Sequence, residues 1–130
     1  LIPAARELLA MDPLNGIVWI FMTRAYSELE QVEEANAVFG EYQALGYEIE
    51  DLSLEADPDG GASVLGILKN NTAEPGGTLT LRFFFGGLTG QEVGTTDIRI
   101  QLPAAEETVE FRGTFSSSEL VGGYKYEVVG

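Results

Sequence analysis

Apolar residues recur along this chain with two different periods, and the first gives way to the second near residue 47. Over residues 1–46 Ala, Leu and Glu dominate, and apolar positions fall three and four apart, the spacing of one helix face. Ala5, Leu8 and Leu9 belong to the end of a first helix, which Asp12-Pro13 breaks. Asn15 stands where it can cap a second, whose face carries Val18, Trp19, Met22, Ala25, Tyr26 and Leu29. After Glu30-Gln31 a third carries Val32, Ala35, Val38, Phe39 and Tyr42, and Gly46 sits where a left-handed residue would end it. The short connection makes the last two helices antiparallel. A hairpin of that size leaves apolar surface bare unless a neighbour covers it.

Beyond the boundary the period is two. Leu79, Leu81, Phe83 and Phe85 alternate with Thr80, Arg82 and Phe84; Ile98, Ile100 and Leu102 alternate with Asp97, Arg99 and Gln101. Val109, Phe111, Gly113 and Phe115 alternate with polar residues, as do Tyr124, Tyr126 and Val128. Each run predicts a strand with one wet face. Residues 64–69 are mostly apolar and predict a central strand, and residues 52–56 a short edge strand, with Gly-, Pro- and Asn-rich turns between the runs. No helical pattern interrupts them, so a parallel sheet has no crossovers to build it. The fold class expected is α+β in two parts: an α-hairpin segment over 1–47, a linker and edge strand over 48–61, and an all-β antiparallel sandwich of immunoglobulin-like type over 62–130, with an open barrel as the alternative.

Charge and composition narrow the chemistry. Twenty-one acidic side chains against seven basic ones give a net charge of −14, which repels nucleic-acid phosphates and anionic lipid headgroups. The chain has neither histidine nor cysteine. Imidazole acid–base chemistry, Ser-His-Asp and Cys-His nucleophiles, disulfides and nearly all zinc or haem sites are therefore outside its repertoire, and no cofactor is expected. No run reaches the roughly 18–20 consecutive apolar residues of a membrane helix, so membrane insertion is not expected.

The residues Asp12-Pro13, Trp19, Met22, Tyr26, Ala35 and Phe39 resemble the tetratricopeptide repeat in type and spacing over about one and a third repeats. Thr23, Tyr42 and Tyr47 depart from the repeat's preferences, as a last repeat handing over to another domain would. In that family the first helix of each repeat lines a concave peptide-binding face, which would present Ile20, Arg24 and Ser27. The second half, through residues 64–72, 79–85 and 102–111, resembles small bacterial extracytoplasmic β-sandwiches of the FxLYD-like kind. That resemblance implies a binding or spacer module of the cell envelope with no catalytic residues.

Several groups resemble sites, and each has a plainer reading. Asp57-Pro58-Asp59-Gly60-Gly61 begins like a calcium loop but lacks the further oxygen ligands, so a turn is expected and no metal site. Glu33-Glu34 and Glu106-Glu107 are adjacent carboxylates that point apart, unlike a glycosidase pair. Trp19, Tyr26, Phe39 and Tyr42 form an aromatic stripe expected in the helical core. Phe84 points away from Phe83 and Phe85, either against the helices or into solvent. Asn70-Asn71-Thr72 matches a glycosylation acceptor and equally a turn, and the glycines at 86–90 read as a hairpin tip.

The function expected is a non-catalytic protein-interaction or scaffold module, with the sandwich capping the helical segment and a protein or peptide as partner. Alternatives are a sandwich binding carbohydrate or a divalent cation, and an enzyme using two carboxylates. Because residue 1 falls within a helical pattern, a preceding repeat is expected to be missing, with self-association through Leu8, Leu9 and Ile17 as a consequence.

Overall fold

A computed structural model describes residues 2–129. Three helices, α1 (Ile2–Met11), α2 (Gly16–Glu28) and α3 (Val32–Leu45), precede six strands: β1 (Tyr47–Ala56), β2 (Ala62–Asn70), β3 (Thr78–Gly86), β4 (Glu92–Gln101), β5 (Thr108–Phe115) and β6 (Gly123–Val128). The arrangement is α+β, helices first and antiparallel strands after, as the change of period predicts.

Local chemistry sets the helix ends. The Asn15 side chain accepts from the Val18 amide and caps α2. At its other end Glu30 adopts a left-handed φ of 59°, the Gln31 amide bonds Tyr26 O and the Glu30 amide bonds Ser27 O, a Schellman closure. Gly46, at φ 75°, ends α3. The helical core is Ala5, Met22, Tyr26, Ala35 and Val38, with Val18 and Trp19 packed beside it. Phe39 corrects the expected aromatic stripe: it is 42 % exposed and stands outside the helical core, its ring 6.2 Å from that of Tyr42.

The strands form two three-stranded sheets, β1-β2-β5 and β4-β3-β6, whose links β2–β3, β4–β5 and β5–β6 cross between sheets. Their inner faces share one core built on Val64, Leu68, Leu81, Phe83, Phe85, Ile98, Phe111 and Tyr126. Phe85 and Phe115 stack across it with centroids 4.7 Å apart. The apolar run at 64–69 is the central strand of its sheet, as expected. Two strands are longer than their alternation announces: β4 reaches back to Glu92, and β1 pairs with β2 from Tyr47 onward.

The start of β1 was hidden by a phase slip. Ile49 and Leu52 lie three apart, which a regular strand would point to opposite faces. Between Glu50 and Ser53 the register shifts by one, and Asp51 takes a left-handed φ of 51°. This bulge turns Ile49, Leu52 and Leu54 all toward the core.

The helices enter and leave through the sandwich. Leu14 is only 1 % exposed and belongs to the sandwich core, not the helical one. Its carbonyl accepts from the Ile49 amide at 2.9 Å, and its amide donates to the Tyr126 hydroxyl at 3.0 Å. That hydroxyl donates in turn to Asp12 Oδ1. At the exit, the Gly46 carbonyl accepts from the amides of Asn71, Thr72 and Ala73. Asn70 is fully buried, its amide donating to Ala73 O and Pro103 O while its Oδ1 accepts from Ala73 N. The turn reading of Asn70-Asn71-Thr72 therefore holds, and Asn70 is no accessible acceptor.

Candidate functional site

The most built concavity lies where α2 meets the free edge of β1. Asp12, Asn15, Gly16, Ile17, Ile20 and residues 48–52 line a cleft of about 460 Å³. One wall is helical and apolar, formed by Ile17 and Ile20, and Phe21 extends it beyond the cleft. Ile17, Ile20 and Phe21 are 81 %, 41 % and 44 % exposed, and with Arg24 they occur at i, i+3, i+4 and i+7, one continuous stripe of α2.

The other wall is acidic, and its carboxylates are held to different degrees. Glu48 lies against the first turn of α2, where a Cβ on Gly16 would overlap its Oε2. That turn has no acid of its own, so Glu48 supplies from β1 the negative charge its amide ends favour. Its two oxygens accept from Tyr42 Oη (3.0 Å) and Asn71 Nδ2 (3.3 Å). Burial and this bond push the Tyr42 phenol up to about 12.

Asp12 is partly buried under the same rim. Burial raises its carboxyl above the ordinary value, while bonds from Tyr126 and Asn15 pull it back. The Tyr126 phenol is pushed far above its usual range by burial first and by Asp12 second. Glu50 and Asp51 are exposed at the bulge, and their side chains make no hydrogen bond among the described residues.

Ile20, Arg24 and Ser27 all lie exposed on α2, and Ile20 lines this cleft. Sequence reasoning singled out Ile17 only for self-association and missed Phe21, Glu50 and Asp51. The three-residue step from Ile49 to Leu52 was the signal that could have located the bulge.

A second, shallower cleft of about 450 Å³ opens on the other sheet between Met11, Phe84, Glu92, Tyr124 and Lys125. Phe84 is half-buried there, with the Lys125 ammonium 5.7 Å from its ring centre, and it shares the cleft with Met11 at the end of α1. Elsewhere, Asp57 accepts from the Asp59 amide in a local turn. Glu33 and Glu34 sit exposed on the first turn of α3. Arg82 and Asp97 form a surface pair at 2.9 and 3.2 Å. Among the described residues no three acidic side chains gather as a metal site requires, and no helix is long and apolar enough to cross a membrane. No family model, curated protein or solved structure matches the chain.

Proposed function

We propose that this chain is a non-catalytic protein-interaction module, in which the β-sandwich closes a tetratricopeptide-like helical segment and the outward stripe of α2 receives a protein or peptide partner. One observation carries this reading. Three large apolar side chains of a single helix, Ile17, Ile20 and Phe21, stand in solvent at contiguous helical spacing. Exposed hydrophobes scattered singly need no explanation, whereas a contiguous, polar-rimmed stripe marks an interaction surface. Arg24 and Ser27 extend it along the helix.

Asp12 and Glu48 are the cleft carboxylates nearest the helix, and their bonding favours binding over acid–base chemistry there. Both oxygens of Asp12 and both of Glu48 already accept bonds from the protein's own side chains. A general acid or base must be free to exchange its proton with a substrate atom.

Display of a random linear-peptide library tests the reading, with the Ile17→Asp/Phe21→Asp variant as counter-target. Peptides enriched on the wild-type chain should bind the variant at least about tenfold more weakly, the loss expected when apolar anchors are removed. Equal binding to both would exclude this surface. Both substitutions lie on exposed positions, so unchanged circular dichroism is expected for the variant.

A further inference from the structure

The edge of β1 beside the stripe says what kind of partner fits. The Ile49 amide points outward, to Leu14 O, whereas the Asp57 amide points inward, to Gly61 O across the β1–β2 turn. Peptide groups alternate along an antiparallel strand, so Glu48, Glu50, Ser53 and Glu55 direct theirs to β2. Leu54 and Ala56 direct theirs to the open edge, where they find no partner among the described residues. The chain itself pairs with the first part of this edge, since Asn15 lies parallel to Ile49 in an isolated bridge. Past Ile49 nothing among the described residues continues that ladder.

Charge selects the occupant. Between residues 46 and 61 stand six acids, Glu48, Glu50, Asp51, Glu55, Asp57 and Asp59, and no lysine or arginine. No basic residue lines the cleft. A second copy of this chain would bring an identical acidic row against this one, on a molecule of net charge −14. A cationic strand would meet the opposite charge along its whole length.

We propose that the β1 edge takes an extended, basic segment of a partner protein as an added strand. Lysine or arginine side chains on one face of that segment lie against Glu50, Asp51 and Glu55, and apolar side chains on the other face lie against Ile17 and Ile20. This rests on the interaction-module reading and specifies its partner. Main-chain bonds to Leu54 and Ala56 supply affinity, and the alternation of basic and apolar residues supplies specificity.

The probe is an eight-residue peptide alternating lysine and valine, titrated by calorimetry into the intact chain. Three controls accompany it: the same composition with the four lysines in a block, the alternating peptide N-methylated at its lysines, and the alternating peptide N-methylated at its valines. Glu50→Lys/Glu55→Lys should weaken the alternating peptide at least about tenfold, while Glu33→Lys/Glu34→Lys on α3, with the same change in net charge, should leave it within about twofold. The blocked peptide and the peptide N-methylated on the bonding side should also bind at least about tenfold more weakly.

Equal loss in both charge variants means diffuse attraction to an acidic protein and overturns the proposal. Indifference to N-methylation on either side overturns strand addition. An edge whose bulge and charges serve only to reject strands would bind none of the four peptides, and that too overturns it. If basic probes fail while library peptides still distinguish Ile17→Asp/Phe21→Asp from wild type, the proposal falls and the interaction-module reading stands. If neither binds, both fall.

Discussion

The sandwich and the helices solve the burial problem differently. Among the described residues, fourteen buried ones, from both sheets, Leu14 and the loop residue Val121, form the sandwich core, while five form the helical one. Of the twelve large hydrophobic residues exposed among the described residues, eight lie between Leu8 and Phe39 and four in the rest of the chain. Two sheets packed face to face cover each other's apolar sides; a helix pair with α1 beside it covers only one side of α2 and α3. The sandwich is thus a self-sufficient core, and the helical segment relies on it through Leu14, Asp12 and Glu48.

Substitutions in the two cores should break this comparison most sharply. Phe83→Ala empties the centre of the sandwich and should cost about 3–5 kcal/mol, whereas Met22→Ala should cost about 2 kcal/mol, since its partly exposed neighbours can close over the gap. Because the helices hang on Leu14, Phe83→Ala should abolish helical and strand circular dichroism in one transition. Met22→Ala should lower the helical transition and leave the strand signal near its wild-type midpoint. Simultaneous loss of both signals in both variants would mean that the two cores are one cooperative unit.

A smaller effect is expected at the latch between them. Tyr126→Phe removes the acceptor for the Leu14 amide and the donor to Asp12, and should cost about 1–3 kcal/mol by leaving a buried N–H unpaired. Its sign with pH follows from Asp12. Burial holds that carboxyl above 3.8, so the folded chain binds the proton more readily than the unfolded one. The stability contributed by protonation is full below 3.8 and is lost as pH rises through the folded value. Tyr126→Phe takes away the stronger of the two bonds that lower the folded value, so the window should extend upward. Carbon-13 titration of the Asp12 carboxyl in both chains checks this, and a midpoint at or below 3.8 in the wild type would contradict it.

The smallest expected effect lies at the turn between α2 and α3. Glu30 pays the left-handed penalty that glycine avoids, so Glu30→Gly should stabilise the helical transition by about 1 kcal/mol and leave the strand transition in place. A shift of the strand midpoint by the same amount would again tie the two regions together.

What the sequence revealed follows the same divide. Period-two runs announced β3, β4, β5 and β6, because residues facing a dry core cannot leave phase without a bulge, and a mostly apolar run announced β2. Asn15 and Gly46 announced helix ends, because caps are local chemistry. Contacts across long separations carried no such mark. Nothing near Leu14 says that its side chain enters the far domain's core, and nothing near Tyr126 says that its hydroxyl reaches Asp12, 114 residues away. At the candidate site, Ile20 was singled out only through the resemblance to a helical repeat, whereas Glu50 and Asp51 became visible only when the bulge placed them beside α2.

The two ends of the α2–α3 hairpin meet the sandwich on neighbouring points, Leu14 on Ile49 at its start and Gly46 on residues 71–73 at its finish. In mechanical terms the hairpin is a loop clasped at its neck. Tension applied through α1 would load the Leu14–Tyr126 anchor and run on into the sheets, bypassing α2 and α3.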